Sequence, residues 1–406
     1  MEIGKLKLIQ LSIAFFLVFI SAGCIRNTSV VSYTHEGIPV IDIEKVMAGK
    51  KQEFLLSDIA YDIEYIPLEF TKECPLRMDI RWNLHVSSSD IFVLSANKIF
   101  RFNRKGKFLN SIGAHGRGPG EFIIALDFTV DTVARHVYLH SNERQIHVYD
   151  YSGKHIRSMH VGGSLNRGFY YLDKTNELFF SSQTTYELHY EENYEIKITD
   201  TLGNIHFSKN ALVVEMLREG ETQSYSSSTL QDGNDIFAID GMSDTLFCYR
   251  QSVLVPYLIL DRGRYKITIE AMRSYNYKED FGRCLNTQLL GSTPDYLFIS
   301  FFQVLIPEPR KRFYLRYNKS TGESIQVDPV IVNDWDGGMP KKIGMNNLRN
   351  QWIFAFDAFE MIETLTPEYF SSAKAKNPEA KHRLQQLVKN LKEEDNPVLM
   401  RIILKP

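Results

Sequence analysis

Short runs of alternating apolar and polar residues recur along the chain, each closed by a small polar residue and a glycine. Ile99-Phe-Arg-Phe-Asn103 leads to Gly106, Lys107 and Phe108, and the same order returns as Ile146-His-Val-Tyr-Asp150 with Gly153 and Lys154, the glycines standing 47 residues apart. Alternation with a period of two marks a half-buried strand. The short polar residue opens a turn and the glycine supplies the positive φ that closes it, which is hairpin chemistry. A third copy runs from Ile196 to Asp200 with Gly203; Thr245-Leu-Phe-Cys-Tyr-Arg250 keeps the strand but lacks the glycine; Phe313-Tyr-Leu-Arg-Tyr-Asn318 with Gly322 restores the pattern after a longer insertion.

Between these five markers lie further strand-like runs at 90–94, 128–130, 136–140, 177–180, 235–239, 295–302 and 352–356. Three or four short strands in every ~40–50 residues is the spacing of propeller blades. A sixth unit is assembled from strands at 352–359 and 397–405 together with one from the far N-terminus, 62–69. Pairing the first strand with the last closes the ring and removes two free sheet edges. The predicted fold is therefore all-β: a six-bladed β-propeller closed by its N- and C-terminal strands. Two helices interrupt the pattern. A short one is expected within 267–281, and a better one over 378–395, where Ala380, Leu384, Leu387, Val388 and Leu391 share a face and Asn396-Pro397 stops the run. Its expected place is packed across the base or side of the propeller.

The N-terminus follows another logic. Lys5 and Lys7 precede an apolar run over 8–20, and Ser21-Ala-Gly23 leads to Cys24. That is a secretory signal, shorter than the ~20 apolar residues of a membrane span. A cysteine directly after Ala22-Gly23 resembles the lipobox of bacterial lipoproteins, in which the thiol is diacylated and cleavage leaves Cys24 as the new N-terminus; Ser21 stands where that pattern prefers Leu, Val or Ile. The expected organisation is a lipoprotein signal over 1–23, a tether and lead-in over 24–50, and the propeller over 51–406. Acyl chains on Cys24 would hold the protein on a membrane essentially permanently. The remaining cysteines, Cys74, Cys248 and Cys284, are odd in number and lack metal spacing, so they read as buried small hydrophobes rather than a disulfide frame.

Composition sharpens two points. The 26 Phe, 21 Tyr and 3 Trp, 12% of 406 residues, suit a β-rich core. A net charge of −2, from 47 basic and 49 acidic residues, leaves no basic face for nucleic acid, which is excluded as a partner.

The stretch Gly113-Ala-His-Gly-Arg-Gly-Pro-Gly-Glu-Phe122, followed by Val130-Asp131 and Gly153-Lys154, resembles the NHL repeat of β-propellers. With Ile66-Pro-Leu-Glu69, Asp244-Thr245, Asp336-Gly-Gly338 and Asn396-Pro-Val-Leu-Met400, the whole mature chain is similar to the six-bladed β-propeller lipoproteins of Gram-negative gut bacteria. The resemblance implies the fold and the anchor. It brings no activity with it.

Candidate chemistry is sparse. The loop 113–121 lacks the Gly-Lys-Ser/Thr of a phosphate loop, and Pro119 breaks its glycines. It reads as an inter-blade loop whose His115 and Arg117 are available to a ligand. His136, His140, His147, His155 and His160 are dense, but spacing yields no third ligand, so no metal is assigned. In Asn333-Asp-Trp-Asp-Gly-Gly338, Trp335 suits stacking on a sugar ring and Asp336 hydrogen bonding to its hydroxyls. No catalytic residue or cofactor is assigned. The function expected is a membrane-anchored lipoprotein whose propeller face binds an envelope protein, a peptide or a glycan. The rivals are a metal-dependent hydrolase or lyase of the kind found among lactonase-like propellers, and an accessory subunit of an envelope transport complex. The absence of an acidic run after Cys24, a signal for surface export in some related lipoproteins, places the anchor on the periplasmic side of the outer membrane.

Overall fold

A computed structural model describes residues 37–76, 83–141, 145–161, 168–181, 183–185, 194–210, 224–274, 276–303, 312–343 and 352–406. The signal, Cys24 and the first part of the tether lie outside these residues. The described chain opens with β1 (Val40–Asp42), α1 (Ile43–Ala48), β2 (Gln52–Leu55) and β3 (Ala60–Pro67). Blade 1 is β4 (Asn83–Val86), β5 (Asp90–Ser95), β6 (Lys98–Asn103) and β7 (Phe108–Ile112), and two short strands follow, β8 (Ala114–His115) and β9 (Glu121–Phe122). Blade 2 is β10 (Ala125–Asp131), β11 (His136–Ser141), β12 (Gln145–Asp150) and β13 (His155–His160). Blade 3 is β14 (Gly168–Leu172), β15 (Glu177–Ser181), β17 (Tyr194–Asp200) and β18 (Ile205–Asn210), with β16 (Gln183–Thr185) paired outside it to β19 (Ser224–Ser226). Blade 4 runs from β20 (Ser228–Asp232) through β21 (Asp235–Ile239) and β22 (Thr245–Arg250) to β23 (Val253–Asp261). After α2 (Ile269–Arg273) and α3 (Tyr277–Asp280), blade 5 runs from β24 (Leu285–Ser292) through β25 (Tyr296–Gln303) and β26 (Arg312–Asn318) to β27 (Ser324–Val332), against whose far end β28 (Lys341–Lys342) pairs. Blade 6 combines β29 (Ile353–Phe356) and β30 (Val398–Leu404) with β3. Between β29 and β30 lie α4 (Ala358–Thr364), α5 (Pro367–Ser372) and α6 (Pro378–Asn390).

This is the six-bladed propeller. The turn chemistry is the one the repeat announces: Asn103 Oδ1 accepts from the amides of Lys105 (2.9 Å) and Lys107 (3.0 Å), Asp150 Oδ1 from those of Ser152 and Lys154, and Asp200 Oδ1 from those of Leu202 and Asn204. Gly106, Gly153 and Gly203 close these turns at φ +82°, +89° and +95°. The fourth unit, without its glycine, turns instead through Gln251 and Ser252, both at positive φ. Each blade is buried on both faces, so the aromatic residues fill the seams between blades. Phe92, Phe122, Phe128 and Tyr149 pack between blades 1 and 2, and Tyr138, Phe169, Tyr171 and Phe180 between blades 2 and 3.

Closure is through β3 and β30, antiparallel, with Ile63 opposite Ile402 and Ile66 opposite Leu399. Four features differ from expectation. The strand predicted over 352–359 ends at Phe356, because Asp357 accepts from the Phe359 amide (2.9 Å) and caps α4. The helix expected over 378–395 is one of three and stops at Asn390, where the Leu391 amide donates to the Val388 carbonyl. Its predicted face is the buried one: Ala380 and Leu384 are in the core, and Leu387, Val388 and Leu391 pack beside it, on the seam of blades 5 and 6. The N-terminal segment adds to the ring: β1 runs parallel to the outer strand of blade 4 and β2 parallel to that of blade 5. The short helix expected within 267–281 is two, α2 and α3. Cys74, Cys248 and Cys284 are buried free thiols. Among the described residues no helix is long and apolar enough to cross a membrane.

Candidate functional site: a cleft beside the blade 5 to blade 6 connection

β27 ends at Val332, and the chain must turn before reaching blade 6. Asn333 and Asp336 make that turn from side chains: Asn333 Oδ1 accepts from the Asp336 amide (3.3 Å) and Asp336 Oδ1 from the Gly338 amide (2.9 Å). The segment ahead of α6 laces onto the loop, with the amides of Lys376 and Asn377 donating to the carbonyls of Asp334 (2.9 Å) and Trp335 (2.8 Å). The Tyr369 hydroxyl donates to the Gly338 carbonyl (3.0 Å). A side chain at Gly338 would meet Asn333 Nδ2 and the Tyr65 hydroxyl at 2.8 Å, so only glycine fits.

Asp334 fastens this loop to the segment between β2 and β3. Its carboxylate accepts from the Ser57 amide (2.9 Å) and hydroxyl (2.6 Å) and pairs with Lys376 (3.0 Å). Burial would raise this carboxyl, but the Ser57 and Lys376 bonds outweigh it and the pKa is lowered. Lys376 Nζ also donates to Ser57 Oγ (2.6 Å). A serine beside a lysine is the outline of a nucleophile and its base. Here the proton traffic runs the other way, since the hydroxyl gives its hydrogen to Asp334 and the ammonium donates to both. The trio is a clasp.

Beside the clasp opens a cleft of about 810 Å³, within the ~300–1,000 Å³ range of ligand pockets. Its floor is the outward side of the β2–β27 pair, with Leu55, Val330 and Val332, and its far wall is the segment 372–376. Asn333 lines it while only 6% exposed, and its amide is turned inward toward Asp336 and Tyr65.

Trp335 and Asp336 are close by but do not line the cleft. Trp335 is half-buried and packs against the core between blades 5 and 6. Asp336 is 1% exposed, and burial raises its carboxyl despite the Gly338 amide and the neighbouring Tyr65 and Asn333 side chains. Trp335 Nε1 has no hydrogen-bond partner among the described residues. Both side chains turn into the protein, where the sequence reading placed them on an open loop face.

His115 and Arg117 are exposed on the loop between blades 1 and 2. That loop is braced by the parallel pair β8–β9 and by Tyr149, whose hydroxyl donates to the Gly120 carbonyl (2.8 Å). Its glycines cradle an anion, but an internal one: Glu121 Oε2 accepts from the Gly118 amide (2.7 Å) and occupies the space a side chain at Gly116 would need. Both this loop and the turn at 333–338 follow the outermost strand of a blade, so they start at the same end of the ring. Blades 6 and 1 stand between them, and the two pairs of residues are not brought together.

The histidines disperse. His140 is buried, which lowers its pKa to about 4, and His147 Nδ1 and His155 Nε2 each lie 2.9 Å from Ser158 Oγ. Among the described residues no group of three or more His, Cys, Asp or Glu side chains is arranged to hold a metal.

Six blades, a closing strand pair and a polar-edged cleft beside the blade 5 to blade 6 connection define a β-propeller with a candidate binding site. The chain belongs to the DUF4934 family, a domain of unknown function, which matches residues 38–402. No curated protein matches it. Among solved structures it is similar to a Bacteroides fragilis protein inferred to be exported, at 16% identity over 88% of this chain and 99% of that one, with a TM-score of 0.61. A member of the DUF4221 family from Bacteroides vulgatus is similar at 10% identity over 88% and 99%, with a TM-score of 0.50. At these identities the likeness is one of fold.

Proposed function

We propose that this chain is an exported lipoprotein, held in the cell envelope through Cys24, which binds an envelope partner at the cleft beside residues 333–338 and carries out no reaction on it. The observation that carries the reading is the cleft itself: about 810 Å³, with an aliphatic floor of Leu55, Val330 and Val332 and a rim that carries Glu53, Lys374 and Lys376. The signal and the Ala22-Gly23-Cys24 sequence support export and anchoring at the periplasmic side of the outer membrane. A partner broad enough to span neighbouring blades also reaches His115 and Arg117, exposed at the same end of the ring.

The test is affinity purification of the anchored protein from detergent-solubilised membranes, wild type beside Val330→Glu, which places a charge on the cleft floor. A partner recovered in stoichiometric amount with wild type and lost with the variant is the expected result. A partner retained equally by both contradicts the assignment of the cleft, and turnover of an ester or lactone by the purified protein contradicts the non-catalytic reading.

A further inference from the structure

Two of the blade 2 histidines meet on one serine, far from the cleft. His147 on β12 stands directly opposite Ser158 on β13, and a bulge in the ladder between Val148 and Tyr149 brings His155 round to the same hydroxyl. His147 Nδ1 and His155 Nε2 each lie 2.9 Å from Ser158 Oγ, and the two ring centroids are 6.0 Å apart. His147 is 3% exposed, His155 is half-buried and Ser158 is open to solvent. One hydroxyl carries one proton, so it donates to one imidazole and accepts from the other. The trio is therefore complete with both rings neutral. With both rings protonated, two cations must donate into the same oxygen, and the one on His147 is cut off from water.

The loop 113–122 is seated on this pair. A side chain at Gly120 would collide with the His155 ring, so the loop backbone lies directly against that imidazole. The Phe122 ring is 6.5 Å from that of His147, and the Tyr149 hydroxyl donates to the Gly120 carbonyl (2.8 Å). The other ionisable groups around the pair are Tyr149, whose hydroxyl burial pushes up, and Glu121 in the loop, with Lys154 and His160 exposed on the blade and His115 and Arg117 exposed on the loop.

We propose that His147, Ser158 and His155 form a pH-operated latch for the loop 113–122, closed while the imidazoles are neutral and released when both take up protons. Opening lets water reach the charged rings and lets them separate, so the open state binds protons more tightly and acid shifts the population toward it. Imidazoles ordinarily change charge between about pH 5 and 8. His115 and Arg117 move with the loop, and nothing in this device depends on what the cleft binds.

The experiment follows hydrogen exchange by mass spectrometry in the whole mature chain, corrected for intrinsic rates. Peptides covering 113–122 are expected to lose protection about tenfold between about pH 7.5 and 5.5, while the rest of the propeller keeps its own. His155→Gln, which can still bond to Ser158 but takes no charge, is expected to hold the loop closed at both values. Glu121→Gln keeps an acceptor for the Gly118 amide and is expected to leave the response intact. No loss in the wild type, the same loss in His155→Gln, or a loss spread over all six blades overturns the latch. A response abolished by Glu121→Gln assigns it to that carboxylate and also overturns it. Side-chain NMR of the wild type checks the same point without a variant: imidazole signals of His147 and His155 that titrate while the loop stays protected contradict the coupling.

Discussion

Ile63 on β3 sits directly opposite Ile402 on β30, 339 positions away along the chain, and both side chains are buried. Blades 4 and 5 take only an added outer strand from the N-terminal segment, whereas the three-stranded sheet of blade 6 needs both ends of the propeller. Deleting residues 396–406 removes β30 and leaves the edges of β29 and β3 unpaired. The expected outcome is aggregation or loss of a single cooperative unfolding transition, followed by light scattering and urea denaturation. A truncated protein that stays monomeric with an unchanged midpoint contradicts closure through this pair.

Asp334 accepts two hydrogen bonds from Ser57 and pairs with Lys376, joining three distant parts of the chain. Asp334→Ala leaves the Ser57 amide and hydroxyl without their acceptor and is expected to cost about 1–3 kcal/mol. Lys376→Ala, whose ammonium is largely exposed, is expected to cost under about 1 kcal/mol. Urea midpoints at constant slope separate the two. Equal losses contradict the clasp.

Trp335→Ala and Arg117→Ala part in the same way. The indole packs against the core, so its loss is expected to destabilise by about 2–3 kcal/mol. Arg117 is exposed, and its loss is expected to shift stability by less than about 0.5 kcal/mol. Thermal melts decide between this and a Trp335 that stands free.

Glu195 gives the fold a pH dependence. Burial, and then the charge of Asp240, raise its pKa to about 7 against the pull of Lys209. A carboxyl with a raised folded pKa favours the native state while protonated, so its contribution is present at acid pH and is lost as pH rises toward 7 and beyond. Melting temperature is expected to fall between about pH 5 and 8 in the wild type, and to fall less in Glu195→Gln. Identical pH profiles for the two proteins rule this out.

Much of the architecture is legible in the sequence because propeller turns need particular residues. Asn103, Asp150 and Asp200 each fold back onto their own amides, and their glycines take positive φ, so the repeat is written locally. What is not local is not legible. β1 and β2 are three and four residues long, carry no turn marker, and exist because the outer strands of blades 4 and 5 offer an edge. Asp357 looks like the end of a strand until its carboxylate is seen capping α4. The loop 333–338 was visible as a polar, glycine-rich turn. That its Trp and second Asp point inward, and that its first Asp meets Ser57 from 277 positions away, depends on α5 and α6 folding back over it. Lys374 and Lys376 differ in sequence only by their neighbours, yet one is paired and the other is not.

Cys24→Ser tests the anchor independently of the cleft. In the proposed lipoprotein the acyl chains would attach through that thiol alone, so the variant is expected in the soluble fraction or as an unprocessed precursor, read by detergent-phase partition and intact mass. Unchanged partition into the detergent phase contradicts the lipoprotein assignment.

The most direct measurement of the central claim is site-specific photocrosslinking in intact cells, with benzoylphenylalanine in place of Lys374 at the cleft and, as a control, in place of Ile156 on the exposed outer strand of blade 2. The account predicts a discrete crosslinked polypeptide from position 374 that is absent from position 156 and disappears when Val330→Glu is added. No adduct at 374, or the same adduct from both positions, would contradict it.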